Sequence, residues 1–98
     1  MKTVLVEAIK NRHRLTIYYH PGMRVIEPHA YGESAEGNEL LRAFQVSGAS
    51  ESGQVPDWKL FRIDAAGQIT KRADQFPGPR PGYRRSDKAM KGGIFAQL

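Results

Sequence analysis

Basic and aromatic side chains interleave along this chain in a manner suited to an anion that carries a planar group. Arg24, Arg42, Lys59 and Arg62 each sit in a stretch with β-branched or large apolar neighbours. Strands that curve around one another would bring several of them into one patch, where guanidinium forks and an ammonium point charge bind phosphate. Arg42 would share a strand face with Leu40 and Phe44, and Arg62 with Leu60. Such a face mixes charge with apolar area, as a binding surface does and as a bulged strand also would. The competing reading, a solvated outer face, carries about equal weight from the ordinary surface frequency of Arg and Lys. Tyr18, Tyr19, Tyr31 and Trp58 offer rings on which bases stack. Tyr31, which ends a strand beside Gly32, is expected to be the exposed ring, with Trp58 and Phe61 given mainly to packing.

Glu27 and His29 flank Pro28 and would lie on the same face of a strand, which makes them the only fragment of acid–base machinery in the chain. His29 near a rim can donate to a phosphate or carry a proton near neutral pH. No nucleophile, base and orienting group can be picked out together, so a small hydrolase is the least favoured of the functional readings and no catalytic residue is assigned. His13 and His20 flank turns without a carboxylate or cysteine at ligand spacing, and no metal or cofactor is expected. The chain has no cysteine. That excludes a disulfide framework, a thiolate zinc site and a cysteine nucleophile.

The net charge of +5 is unevenly distributed. Residues 1–76 carry 10 basic and 9 acidic side chains and are almost neutral. From Pro77 onward, Arg80, Arg84, Arg85, Lys88 and Lys91 face only Asp87. Such a field attracts phosphate backbones or acidic proteins, or serves simply to solubilise a tail.

The elements that must position these residues follow from local pattern. With 98 residues, of which 40% are hydrophobic and 26% charged, the chain has the size and composition of one globular domain. Val4, Leu5, Ala8 and Ile9 recur at helical spacing between Thr3, a candidate N-cap, and a basic cluster at the far end, which predicts a helix over 3–12. Leu15 to Tyr19 is rich in β-branched and aromatic residues, and His20-Pro21-Gly22 turns it into a second strand over 23–31. Pro28 removes a ladder hydrogen bond there, favouring an edge position or a bend. Gly32 to Asn38 and Ser47 to Gly53 read as loops around a strand over 39–46. Strands over 58–63 and 68–71 follow. Three prolines send 77–82 extended across the surface, and 87–98 closes as a short helix or strand. No segment is apolar enough to span a membrane and no signal peptide opens the chain, so a cytoplasmic protein is expected.

One helix and four or five short strands with frequent turns predict a mainly β (α+β) fold, a strongly bent antiparallel sheet closing into a small barrel, with its chemistry on the rim and loops. Glu7-Ala8-Ile9, then Leu15-Thr16-Ile17-Tyr18-Tyr19, then Gly22-Met23-Arg24-Val25-Ile26-Glu27-Pro28-His29 resembles the WYL domain family in the order of its parts. Gly37-Asn38-Glu39-Leu40-Leu41-Arg42-Ala43 and Trp58-Lys59-Leu60-Phe61-Arg62-Ile63-Asp64 resemble its two closing strands, so the likeness spans roughly residues 5–70 and is greatest to compact stand-alone members. Glu39-Leu40-Leu41 stands where the family has Trp-Tyr-Leu, and Ala65 where an arginine usually follows the aspartate. The resemblance implies an Sm-like barrel over 1–76, with 77–98 as a basic Pro/Gly-rich extension, of the kind bacteria and phages use as a ligand-sensing module in transcription regulation. The reading that results is a non-catalytic module for an anionic ligand, single-stranded nucleic acid or a nucleotide, using Arg24, His29, Tyr31, Arg42, Lys59 and Arg62. The alternative is an interaction or oligomerisation subunit whose basic tail docks on a protein partner or a copy of itself.

Overall fold

Leu5, Ala8 and Ile9 are the buried face of the first helix, α1 (Lys2–Asn11), in the computed structural model, which describes residues 2–98. The helix begins by Lys2, so Thr3 lies inside it and does not cap it. It stops where Arg12 takes a left-handed conformation, φ 55°, and turns the chain into the first strand. The strands are β1 (His13–Tyr19), β2 (Gly22–Glu33), β3 (Glu39–Gly48), β4 (Asp57–Arg62), β5 (Ile69–Gln75) and β6 (Gly93–Gln97), with a 3-10 turn, Ile63–Ala65, after β4. All pairings are antiparallel. The fold is thus mainly β with one N-terminal helix, and no helix among the described residues is long and apolar enough to cross a membrane.

The sheet runs β4-β3-β2-β1-β5, with β6 added on β2. It is not closed into a barrel, because β4 and β5 at its two ends do not pair. At that gap the Tyr19 hydroxyl accepts the Arg62 N–H at 3.2 Å, so a side chain stands where a closing ladder would. The turn Ile63–Ala65 leads the chain across to Gly67 and Gln68, whose backbones bond to Tyr18 at the start of β5.

β2 is the spine. One edge is covered along almost its whole length by β3, from Arg24 opposite Gly48 to Glu33 opposite Glu39. The other edge is shared: β1 takes residues 22–26 and β6 takes 30–33. Pro28 falls between the two, where the missing N–H leaves no ladder bond unmade, and a bulge between Pro28 and Ala30 bends the strand. The proline therefore marks a bend in a central strand and not an edge. β2 continues through Gly32 and Glu33, and β3 through Ser47 and Gly48, each beyond its expected end. Gly32 is needed for the close approach of β6, since a Cβ there would lie 2.4 Å from the Gly93 carbonyl oxygen.

Alternation along the strands gives the sheet two apolar faces. On one, Leu15, Ile17, Ile26, Tyr31, Leu41, Ala43 and Phe61 pack against α1. On the other, Ala30 and Leu40 are covered by Met90, with Tyr83, Ala89 and Ile94 around them. The segment from Phe76 to β6 therefore works as the second covering layer of the sheet, and the Pro-rich extension packs on residues 1–76. Deleting residues 77–98 removes β6, uncovers Leu40 and takes away one cation from a buried carboxylate. Losing such a partner alone costs about 3–5 kcal/mol, a large share of a total stability of about 5–15 kcal/mol. The truncated chain is expected to lose its cooperative thermal transition, checked by circular-dichroism melts. A truncated form melting cooperatively within about 5 °C of the full chain would show that the sheet stands without this layer.

Candidate functional site

The bend in β2 turns Glu27 and His29 toward the covering segment, and both are buried, at 1% and 0% exposure. A carboxylate out of water must be paired. Arg14 of β1 bonds Glu27 Oε2 at 2.9 Å, and Arg80 forks onto it, Nε to Oε1 at 2.7 Å and Nη2 to Oε2 at 3.2 Å. Burial pushes the Glu27 carboxyl upward, but the hydrogen bonds and charges of Arg80 and Arg14 outweigh it and hold the group below the usual carboxylate range. The stability Glu27 contributes is therefore complete above its unfolded pKa of about 4.3 and is lost as pH falls through the lower folded value. Arg14 also bonds Asp74 of β5 at 3.2 Å, which extends the chain of charges across three strands.

His29 does not face the Glu27 carboxylate. Its Nδ1–H donates to the Glu27 carbonyl oxygen at 2.8 Å, and its Nε2 accepts the Arg80 N–H at 3.1 Å. One ring nitrogen donates and the other accepts, which is the neutral imidazole in its Nδ1–H form. With both nitrogens engaged and the ring fully buried, the two residues form no acid–base pair open to a substrate. The ring packs edge-on to Trp58 of β4 at 4.7 Å, stacks on Phe76 at 5.5 Å and meets Tyr83 at 5.0 Å.

Trp58 and Tyr83 are also the aromatic wall of an open groove of about 500 Å³ on the outer side of this cluster. Their planes lie within 24° of each other with centroids 6.1 Å apart. Trp58 is braced by Phe44 behind it, and its Nε1–H donates to the Pro81 carbonyl at 3.3 Å. Gly82, at φ +92°, passes so near that a Cβ would sit 3.2 Å from Trp58 Nε1. Arg42, Arg84, Arg85, Asp87 and Lys88 complete the groove. Arg42 and Asp87 form a forked pair, 2.7 and 3.2 Å, and the hydrogen bond from Arg42, opposed by burial and helped by the Ala89 N–H, lowers the Asp87 carboxyl. Asp87 is the sole acid of residues 77–98 and is spent on Arg42. Arg84, Arg85 and Lys88 are exposed and have no carboxylate partner among the described residues.

The four strand cations expected to converge do not. Arg24 and Arg62 lie near opposite ends of β3, opposite Gly48 and Leu40. Arg24 is buried, and its guanidinium donates to the carbonyls of Tyr19 and His20 and to the Gln45 side chain, which ties down the β1–β2 turn. Lys59, opposite Ala43, is out of phase with Arg42 and donates to the hydroxyls of Ser50 and Ser52 at 3.2 and 3.0 Å. Arg62 is exposed and paired with Asp64 at 2.7 Å. Only Arg42 reaches the groove. Tyr31, expected exposed, is buried: the β6 strand covers its position, and its hydroxyl donates to the Glu39 carboxylate. Burial, and then the Glu39 bond, pushes its phenol well above the ordinary range.

The tail residues divide in the same way. Arg80 serves the buried Glu27, Arg84, Arg85 and Lys88 line the groove, and Lys91 lies beyond it in a shallower depression with Ile94. Sequence reasoning overlooked Tyr83 and Asp87. The run Gly82-Tyr83-Arg84-Arg85 carries the same aromatic–basic interleaving that drew attention to the strands and was the signal available. No group of three or more His, Cys, Asp or Glu side chains among the described residues is placed to hold a metal ion.

Comparison with family models, curated proteins and solved structures yields no match to this chain.

Arg80→Ala leaves Glu27 buried with Arg14 alone and is expected to cost about 3 kcal/mol. Adding Glu27→Gln removes the uncompensated charge and should return part of that loss, so the two changes are strongly non-additive. Urea denaturation of the two single variants and the double variant measures the coupling, and simple additivity would contradict this account of the pair.

Proposed function

We propose that the groove binds a single-stranded nucleic acid or a nucleotide-like anion, with Trp58 and Tyr83 receiving a base and Arg84, Arg85 and Lys88 receiving phosphates. The observation that carries this reading is the convergence of three cations without acidic partners on a half-buried aromatic pair. A guanidinium paired with an internal carboxylate gives little to an incoming phosphate, which sets Arg62 and Arg80 apart from Arg84 and Arg85. Stacking on an aromatic face is sequence-tolerant, because every base has a π surface, and is worth about 1–3 kcal/mol per base. An open groove with rings at its wall favours a strand whose bases are unstacked over a duplex whose bases are not.

Supporting the WYL-like, Sm-like interpretation of the fold are an N-terminal helix, the strand order β4-β3-β2-β1-β5 and the bend in β2. In that interpretation the groove is the sensing surface of a regulatory module, and any effect on transcription passes through a partner or through direct contact with nucleic acid. Capture of a protein partner by a free basic tail draws less support, since residues 77–98 are already folded against their own sheet through Arg80 and β6.

The test is binding of labelled single-stranded DNA, single-stranded RNA and duplex DNA across a salt series by the full chain and by Arg84→Glu/Arg85→Glu/Lys88→Glu. Each phosphate neutralised in a single strand contributes about −0.7 to the slope of log K against log salt. The triple variant should therefore lose most of its affinity and flatten the slope by about 2. Equal affinity and slope in the two proteins would remove the groove as the site, and no binding of any probe at about 50 mM salt would overturn the function itself.

A further inference from the structure

The imidazole behind the aromatic wall has a hydrogen-bond pattern that only its neutral form can satisfy. A second proton would sit on Nε2 and point at the Arg80 N–H, which is also a donor. The groups around the ring offer that proton little. From β2, the Glu27 carboxylate is already held by Arg80 and Arg14. From the covering segment come the Arg80 cation and the Tyr83 phenol, which burial keeps protonated. Trp58 of β4 and Phe76 bring no charge, and Asp74 of β5 is bound to Arg14 and Arg72. Burial lowers the pKa of His29, the Arg80 charge adds to this, and the Glu27 carbonyl and carboxylate offset only part of it.

We propose that His29 is the positioning residue of the groove and makes it acid-sensitive: the neutral ring holds Trp58 and Tyr83 in place, and its protonation releases residues 77–83 and with them the aromatic wall. The inference rests on the groove being a binding site and adds how that site responds to pH. The element that gives way is the segment. On either side of residues 27–29, β2 is fixed by ladders on both edges, whereas 77–83 is held on the sheet by the Arg80 contacts with Glu27 and His29, the Arg12–Pro77 and Trp58–Pro81 bonds and the long bonds from the Tyr83 hydroxyl to the main-chain oxygens of His29 and Leu98.

Trp58 is the single tryptophan of the chain and touches both His29 and Tyr83, so its emission reports on this contact without any ligand. The experiment follows that emission from about pH 7.5 to about pH 5, together with the affinity for an oligothymidine carrying a pH-insensitive dye. In the native chain the emission is expected to titrate with one proton at a midpoint below about 6.5, and the affinity to fall with the closed fraction, by up to about tenfold for each pKa unit separating the closed and released forms. Phosphates and arginines keep their charge over this range, so charge alone would hold binding steady or strengthen it. His29→Gln, whose amide oxygen accepts the Arg80 N–H without titrating, should show flat emission and affinities at the two ends of the range within about twofold of each other, set against that tenfold scale. Flat emission in the native chain overturns the proposal, as does a titration that persists in His29→Gln. An affinity that holds or rises while the emission titrates overturns the link to the groove. If no oligonucleotide binds at either end, the proposed function fails while the emission still decides the role of His29. Should His29→Gln not fold, the imidazole nitrogen shifts of the native chain decide instead: an Nδ1–H form that gains its proton in step with the emission supports the proposal, and an Nε2–H form or an imidazolium at neutral pH overturns it.

Discussion

A carboxylate that cannot reach water organises this molecule. Glu27 lies at the bend of the longest strand, and the two guanidinium groups that compensate it come from β1 and from the segment that covers the sheet. Pairing of this kind adds little net stability over an apolar core, yet an unpaired charge there would be intolerable. The covering segment must therefore run where Arg80 can reach the carboxylate, and that requirement sets the path of residues 77–83. The Arg80 guanidinium also lies over the Phe44 ring, 4.6 Å from its centroid, so the ion pair and the aromatic cluster are joined through one side chain.

The bend itself follows from how β2 divides its edge. Two partners, β1 and β6, meet the same side of one strand, and the residues between them need other bonds for their backbone groups. Pro28 has no donor to satisfy. The Glu27 carbonyl is taken by the His29 ring, and the His29 carbonyl by the Leu98 N–H and the Tyr83 hydroxyl. Filling those vacancies orients the imidazole, and the imidazole in turn supports the rings that wall the groove. Structural accounting at the interruption of a ladder and the shape of the outer surface are thus two ends of one chain of contacts.

Much of the fold was legible along the chain. Helical spacing of Leu5, Ala8 and Ile9, the β-branched run before His20-Pro21-Gly22 and the strand-like composition of β3 and β4 each depend on neighbours close in sequence, and each element lies close to where that pattern places it. Pro28 announced either an edge position or a bend, without deciding between them. The basic tail and its flanking glycine and tyrosine were visible, but their role was not, because an arginine looks the same in sequence whether it meets solvent, main-chain carbonyls or a buried glutamate. Arg24, Arg80 and Arg84 now occupy three such different settings.

What the sequence determined by itself is therefore the helix, the first five strands and the concentration of positive charge after Pro77, all of which arise from local period and composition. Tertiary structure alone decided that the sheet stays open, that Tyr31 is covered by β6, and that Asp87 neutralises Arg42 while Arg84, Arg85 and Lys88 keep their charge beside Trp58. The physical reason is range. Periodicity is set by residues a few positions apart, whereas pairing of charges and burial of rings depend on partners about fifty residues away, such as Arg80 on Glu27, whose approach is fixed only when the whole sheet and its covering segment are assembled.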